Sequence, residues 1–381
     1  MEMKFGFISV DDHVLEHPAV WTQRLSKAKW GNRIPHIEGQ ADGTEHWVVD
    51  ERRYPLTGVA SVGAALPDRT HEPQRWEEVP TVTYKPTERL KAMDADGVDG
   101  SVLYPTVAGM AGETFGRIGD PELELACVQA YNDWLIEEWS SKSERFIPQC
   151  IVPIAPVEAT VAEIKRAVAK GHRGVVFPAV PMELRDVPHL NDSVYDPVWA
   201  ICQELGVPLC LHAGASSKIQ IPPHEGYSRE LAGAFQAITR SASSISILVD
   251  FLISRILMRF PHLKVVFVES ALGWGAYLLE YIDHQAREDG LQNEGYELKP
   301  SEMFKRQCYL VGWYDRAGVQ CRRFIGTDNI MWATNFPLAT STWPSSRDYI
   351  ARSFEGVPDH ERRKILCENA AALYKISNGK G

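Results

Sequence analysis

The sequence lacks the segments that mark membrane and secreted proteins. No apolar run among its 381 residues approaches the roughly 18 residues that cross a bilayer. The opening stretch, MEMKFGFISVDDH, has no apolar centre of the signal-peptide kind, which predicts that no secretory leader is present. The seven cysteines show no metal-knuckle or redox spacing, and their odd number favours free thiols in a reducing compartment. We therefore expect a cytoplasmic protein without a membrane partner.

The sequence also has no excess of positive charge and no phosphate-binding turn. Lys and Arg number 40 against 50 Asp and Glu, for a net charge of −10. This balance argues against nucleic acid as a partner, because phosphate contacts need clustered basic residues. A doubly wound nucleotide-binding sheet usually has a glycine-rich turn after its first strand. Here the first apolar segment leads instead into Asp11, Asp12 and His13.

What the sequence does contain is a regular alternation of short apolar segments with longer amphipathic or irregular ones. Apolar and β-branched runs without strict alternation are typical of strands buried on both faces, and strand–helix alternation predicts a parallel sheet. The predicted strands cover residues 4–10, 101–104, 146–152, 174–177, 207–212, 263–269, 308–311 and 329–333. Eight such units predict an α/β fold of the (β/α)₈ (TIM) barrel type.

We expect one barrel domain over residues 1–381. Residues 31–75 break the alternation, being rich in Gly, Pro and charge, with a possible hairpin at 46–54. We interpret them as an insertion after the first strand that covers part of the barrel mouth. A second irregular stretch, 213–233, follows His212. Loops that follow strands build the active sites of such barrels.

Polar residues suited to metal binding or proton transfer stand at the ends of the predicted strands. Asp11 and His13 follow the first strand and, being two apart, should share the inner face. His212 ends VPLCLH, Glu269 ends LKVVFVE, and Asn335 follows NIMWAT. Closure of a parallel barrel would bring these distant side chains into one ring.

Imidazole and carboxylate groups together suit a divalent metal, with zinc as the first choice and iron or manganese as alternatives. Each residue also has a structural interpretation. An Asp-x-His pair can cap a helix and bond locally, a lone His212 can be a core histidine, and Glu269 can pair with an arginine. Glu16 either joins the metal ligands or caps and pairs locally.

Five longer motifs include or adjoin the predicted strands and the end of the chain. They are ISVDDHVLEHPAVW (8–21), RLKAMDADGVDGSVLYPT (89–106), RFPHLKVVFVESALGWGAYLLEYIDH (259–284), NIMWATNFPLATSTWPSS (329–346) and ILCENAAALYKI (365–376). Together they resemble the amidohydrolase-related barrels that include aminocarboxymuconate-semialdehyde decarboxylase and the hydroxybenzoate decarboxylases. The resemblance runs over nearly the whole chain.

The resemblance implies metal ligands at Asp11, His13 and His212, and it also shows two departures. The related decarboxylases commonly have a catalytic His after the sixth strand, where this chain has Glu269. Their eighth-strand motif usually has an Asp, where this chain has Asn335, and an amide is a weak ligand and no general base. The fourth strand, GVVF, has no Lys to bridge two metals.

The residue pattern, together with what the resemblance implies, leaves three possible functions. The first is a metal-dependent decarboxylase or hydrolase acting on a small carboxylated molecule, with Glu269 shuttling a proton. The second is an iron or mixed-metal oxygenase, since some similar barrels hydroxylate small substrates such as 2-aminoisobutyrate and pair two related chains. The third is a non-catalytic partner subunit, for which Asn335 is the main argument.

Weaker expectations concern partners and pocket walls. The aromatic-rich insertion and apolar loops favour an oligomer, formed with a second copy or with a related chain. Trp274, Trp313 and Trp343 either wall a small-molecule pocket or pack the barrel. Arg240 and Lys218 either meet a substrate carboxylate or lie in solvent.

Overall fold

Parallel strands, each buried on both faces, form the centre of the fold in the computed structural model, which describes residues 1–69, 72–213 and 224–377. In chain order the strands are β1 (Ile8–His13), β2 (His36–Gly39), β3 (Glu45–Val49), β4 (Arg52–Tyr54), β5 (Gly100–Tyr104), β6 (Phe146–Ile151), β7 (Gly174–Val176), β8 (Leu209–His212), β9 (Val265–Val268), β10 (Cys308–Gly312) and β11 (Ile330–Trp332).

Eight of these strands make one parallel sheet in the order β1-β5-β6-β7-β8-β9-β10-β11. The segment after β11 returns to β1 and nearly closes the sheet into a barrel. The backbone N–H of Asn335 donates to the Asp11 carbonyl at 2.9 Å, and the backbone N–H of His13 donates to the Phe336 carbonyl at 2.6 Å. The predicted (β/α)₈ barrel is confirmed.

Helices cover the barrel between successive strands. Those of eight residues or more are α3 (Pro86–Asp96), α5 (Pro121–Trp134), α6 (Val157–Lys170), α7 (Asp196–Leu205), α8 (Arg229–Arg240), α9 (Ser243–Ile253), α11 (Gly273–Glu288), α12 (Pro300–Gln307) and α15 (Ser346–Ser353). The shorter ones are α1 (Ala19–Thr22), α2 (Lys27–Trp30), α4 (Glu113–Gly116), α10 (Ile256–Arg259), α13 (Arg316–Gln320), α14 (Arg322–Ile325), α16 (Asp359–Arg363) and α17 (Asn369–Leu373). One-turn π segments extend α5 through Leu135–Ser140 and join α16 to α17 through Lys364–Glu368.

The first strand begins later than the sequence predicts. Residues 4–7 do not pair as a strand, because the Asp99 carboxylate captures their backbone amides. It accepts hydrogen bonds from the amides of Lys4, Phe5 and Phe7 at 2.8–3.1 Å. As a result β1 starts at Ile8 and extends through Asp11 to His13, so the polar motif is the last part of the strand itself.

The insertion after β1 forms a small antiparallel sheet in the order β2-β3-β4. Its β3–β4 pair is the predicted hairpin, and Trp47 from β3 packs edge-on against Trp21 of α1 at 5.5 Å. The chain then crosses the carboxyl ends of the barrel strands. The Val59 amide donates to the Thr106 carbonyl at 3.3 Å and the Ala64 amide to the Pro337 carbonyl at 3.0 Å. The insertion therefore lies over the loops that follow β5 and β11.

The second irregular stretch turns out to be partly helical. Residues 214–223 lie outside the described part of the chain. The predicted loop extends to residue 233, but helix α8 already starts at Arg229. The Ser228 hydroxyl caps this helix by accepting a hydrogen bond from the Leu231 amide at 3.2 Å. A break at Arg255, which has a φ of 65°, separates α9 from α10.

Apolar side chains from strands and helices form one large core around and inside the barrel. All seven cysteines are free thiols, and six of them are buried. Among the described residues, no helix is both long enough and apolar enough to cross a membrane.

Candidate metal centre

A β-bulge in β1 sets the orientation of the polar strand-end motif. Ser9 pairs with Ser101 of β5, but Asp12 pairs with Leu103, so β1 has one extra residue between these pairs. Bulges re-aim side chains next to functional sites. Asp11 and His13 both point into the barrel mouth region and are completely buried.

The side chains of Asp11, His13 and His212 meet in one cluster. The Asp11 Oδ1 atom lies 3.4 Å from His13 Nε2 and 3.3 Å from His212 Nε2. One potential ligand atom from each residue lies within 4.8 Å of the others. The sequence analysis placed these three residues at the ends of the predicted strands 4–10 and 207–212, and the structure brings them together at the ends of β1 and β8.

Both imidazoles are oriented through their second nitrogen. His13 Nδ1 lies 3.0 Å from the Pro105 carbonyl oxygen, and His212 Nδ1 lies 2.8 Å from the Ala213 carbonyl oxygen. A carbonyl is only an acceptor, so each Nδ1 carries the proton and donates it. Each Nε2 is thereby turned towards Asp11, which is the arrangement in which metal-binding histidines are usually held.

The electrostatics of the cluster favour an ionised Asp11 carboxylate. Burial raises the pKa of Asp11, but the neighbouring imidazoles of His212 and His13 outweigh burial, so the pKa falls below its usual value. Burial lowers the pKa of His212, but the Asp11 carboxylate outweighs it and raises the pKa to about 9. The site thus holds an ionised Asp11 and draws positive charge towards it.

A divalent metal fits the polar atoms that the cluster presents. Within the described structure, Asp11 Oδ2, His13 Nε2 and Asn335 Oδ1 are buried and have no hydrogen-bond partner. Buried polar atoms without a partner are rare and point to an ion or another ligand. All three are ligand-type atoms for zinc, manganese or iron. Asp11, His13 and His212 would hold the metal, with the Asn335 amide oxygen as a weaker neighbour.

Glu269 and Asn335 lie beside the cluster on left-handed backbone. Their φ angles are 54° and 59°, and Ala271 has a φ of 57°. Non-glycine residues adopt this region at an energetic cost, and such residues gather at functional sites. Glu269 Oε2 lies 3.9 Å from His212 Nδ1, and Asn335 Nδ2 donates to Glu269 Oε1 at 3.1 Å. Both residues that the sequence proposed for catalysis therefore adjoin the candidate ligands.

Glu16 has the local structural role that the sequence left open as an alternative to metal binding. Its carboxylate accepts from the Thr106 hydroxyl at 2.9 Å and from the amides of Val107 and Ala108 at 2.8 and 3.3 Å. Burial raises the pKa of Glu16 against these hydrogen bonds. Since its oxygens are used to hold the turn after β5, Glu16 is not part of the cluster formed by Asp11, His13 and His212.

Asp12 was not proposed from the sequence, yet it supports the site. Its carboxylate accepts hydrogen bonds from the hydroxyls of Ser9, Ser101 and Thr334, and from the Phe336 amide. Burial raises the pKa of Asp12 to about 6 in spite of these bonds. Asp12 therefore joins β1 to β5 and to the segment after β11. Ser9, three residues before Asp12, is the one local signal for this role.

The weaker candidates have varied positions. Trp274 donates from Nε1 to the Ser270 carbonyl at 2.7 Å, and Trp343 packs edge-on against Phe336 at 5.1 Å. Trp313 is buried against Tyr314. Lys218 lies outside the described residues, and so does the side chain of Arg240 at the end of α8.

Comparison with known proteins matches residues 46–376 to the sequence profile of a family described as amidohydrolase. A gamma-resorcylate decarboxylase from Rhizobium sp. (strain MTP-10005) is 22% identical over 311 residues, covering 76% of this chain and 86% of the relative. An amidohydrolase from Mycobacterium avium subsp. paratuberculosis K-10 superposes with a TM-score of 0.76 at 22% identity, over 97% of this chain and 99% of the other.

A dihydroxybenzoic acid decarboxylase from Polaromonas sp. JS666, with bound manganese and 2-nitroresorcinol, superposes with a TM-score of 0.64 at 18% identity. The superposition covers 98% of this chain and 97% of the other. The profile match includes His212, Glu269 and Asn335, whereas Asp11 and His13 precede it. It covers most of the chain and agrees with the resemblance of the strand-end motifs, and on these grounds the chain belongs to the amidohydrolase family.

Proposed function

We propose that this protein is a metal-dependent lyase that removes carbon dioxide from a small carboxylated molecule, with a carboxylated aromatic ring as the first candidate. The observation that carries the proposal is the buried cluster of Asp11, His13 and His212, with Glu269 and Asn335 against it. The names of the relatives, which are decarboxylases of aromatic acids, support the same substrate class. The relative with bound manganese makes manganese a candidate metal in addition to zinc and iron.

Decarboxylation suits this site better than hydrolysis because of Asn335. Hydrolysis of the kind usual in such barrels uses the eighth-strand carboxylate as the base that activates water, and the amide that this chain has there cannot accept the proton. Loss of carbon dioxide needs no water. The bond between the ring carbon and the carboxylate breaks, its electron pair stays on the carbon, and a proton must then reach that carbon.

Glu269 is the group that we assign to proton transfer. Its carboxylate faces His212 and accepts a hydrogen bond from the side-chain amide of Asn335. An aspartate in place of Asn335 would set two carboxylates at this distance, and like charges so close cannot both be ionised without a large cost. The amide removes that conflict. A bound divalent metal would supply a Lewis acid for substrate oxygens, while Asp11, His13 and His212 hold it.

The test is carbon dioxide release from 2,6-dihydroxybenzoate and 5-carboxyvanillate by protein loaded with manganese, zinc or iron. Glu269→Gln should abolish release with the fold intact. Glu163→Gln is the matched control, because Glu163 is an equally buried carboxylate that pairs with Arg166 away from the site. It should lose stability but keep activity. A wild-type protein inactive on both acids with all three metals, or a fully active Glu269→Gln variant, would contradict the proposal.

We further propose that the chain works as an oligomer, with a second copy or a related chain. Exposed apolar side chains on the helices support this. Tyr277 and Tyr281 of α11 stack in parallel at 5.6 Å and are 67% and 48% exposed, and Ile238 of α8 is 79% exposed. Light scattering should give a mass above the 42.8 kDa of one chain. An active monomer at low concentration would contradict it.

A further inference from the structure

The buried cation Arg89, on α3, contacts both chain segments that meet at the candidate metal centre. Its side chain is 1% exposed. Its Nη2 atom donates to the carbonyl of His13 at 2.7 Å, and its Nε atom donates to the carbonyl of Val82 at 3.0 Å. The guanidinium therefore fastens the backbone of a candidate ligand to the loop before α3.

The faces of the same guanidinium are covered by aromatic rings. Its central carbon lies 4.5 Å from the ring centroid of Phe336 and 5.4 Å from that of Trp139. Cation–π contacts of this kind gain strength when they are shielded from water. Phe336 directly follows Asn335, so Arg89 reaches the segment after β11 as well as β1.

These contacts continue through the backbone to the site. The Phe336 carbonyl accepts the His13 amide, and the Phe336 amide donates to the Asp12 carboxylate. The Asn335 amide donates to the Asp11 carbonyl. The positions of Asp11, His13 and Asn335 relative to one another thus depend on the seam between β1 and the segment after β11, and Arg89 holds that seam from the helix side.

We infer that Arg89 is a positioning residue for the metal centre, which rests on the proposed function of that centre. It acts through His13 and Phe336 and touches no reacting atom. A lysine could keep the charge, but its single ammonium cannot reproduce the planar fork or the stacking of the guanidinium. Metal sites tolerate only small displacements of their ligands, so the conservative substitution should weaken the site.

The experiment compares Arg89→Lys with Arg322→Lys in metal-free protein. Arg322 is a matched control because it is 5% exposed and bonds both a carbonyl, that of Val319, and a carboxylate, that of Glu361, away from the site. Mn²⁺ affinity is measured by the paramagnetic resonance of free Mn²⁺, and stability by thermal unfolding. Arg89→Lys should raise the Kd for Mn²⁺ by about 10-fold or more. Arg322→Lys should change it by less than about 2-fold at a similar loss of Tm. Equal effects on Kd would overturn the inference.

A second variant and a second readout cover other outcomes. Phe336→Leu removes the aromatic ring that contacts Arg89 but keeps the backbone hydrogen bonds, so it should also raise the Kd for Mn²⁺. This variant tests the inference even if Arg89→Lys does not fold. If wild-type protein binds no Mn²⁺, the metal assignment fails separately. The positioning role is then decided by hydrogen exchange of the amides of residues 11–14. Exchange should be faster in Arg89→Lys or Phe336→Leu than in Arg322→Lys, and equal exchange would overturn the inference.

Discussion

Acid should destabilise this protein through one buried histidine that lies outside the candidate site. His172 follows α6 and is 1% exposed. Its Nε2 lies 3.0 Å from the Asn132 carbonyl and donates to it, and its Nδ1 is buried without a hydrogen bond in the described structure. Protonation of Nδ1 would therefore place an unsolvated charge in the core. Burial lowers the pKa of His172 from 6.5 to about 4.

The sign and size of the effect follow from this pKa. The unfolded chain takes up the proton near pH 6.5 and the folded chain only near pH 4, so stability is full above pH 6.5 and falls as the pH drops towards 4. At about 1.4 kcal/mol per pKa unit, the complete loss is about 3 kcal/mol. Between pH 7 and pH 5 the loss is about 2 kcal/mol.

Urea denaturation at pH 7 and pH 5 measures this difference. His172→Gln keeps a donor for the Asn132 carbonyl but cannot be charged, so its loss of stability between the two pH values should be about 2 kcal/mol smaller than that of wild type. His262→Gln is the control, since His262 is exposed, and it should behave as wild type. If His172→Gln and wild type lose the same stability, then charging of His172 does not limit acid stability and the reasoning is wrong.

Three further predictions concern the site. His212→Ala should weaken Mn²⁺ binding strongly. Loss of a hydrogen-bond partner behind a metal ligand weakens binding by roughly 10- to 100-fold, and loss of the ligand itself should weaken it more. A titration showing unchanged affinity would mean that His212 is not a ligand. Asn335→Asp should lower decarboxylase activity by setting a second carboxylate against Glu269; a gain in decarboxylase or hydrolase activity would instead reveal a degraded site of the ordinary kind. Loss of an oxygen-consuming activity in the same variant would favour the oxygenase hypothesis. Glu16→Gln should cost about 1–3 kcal/mol, because its new NH₂ group faces amide donors, while metal content stays unchanged; a fall in metal content without loss of stability would make Glu16 a ligand after all.

The main part of the site could be predicted because its residues obey a simple geometric rule. Asp11 and His13 lie at the end of one buried parallel strand and His212 at the end of another, and barrel closure brings such strand ends together. Glu269 and Asn335 follow the same rule, although their left-handed backbone has no signal in residues that are not glycine.

The remaining features depend on contacts between residues far apart in the sequence. Glu16 is bound by amides some 90 residues away, so its neighbours in sequence cannot show that its carboxylate is already used. Asp99 shortens β1 from a distance of more than 90 residues. Arg89 stands in a charged helix sequence, and only packing shows that it is buried.

The most direct test of the central claim is anomalous diffraction from crystals of the wild-type protein soaked separately with Mn²⁺ and Zn²⁺. We expect one strong peak within about 2.0–2.2 Å of the Asp11 carboxylate, His13 Nε2 and His212 Nε2, the bonding distances of such metals to oxygen and nitrogen. A peak bound elsewhere in the chain, or no peak at saturating metal with these three side chains still clustered as they are here, would contradict the assignment of this cluster as a metal centre.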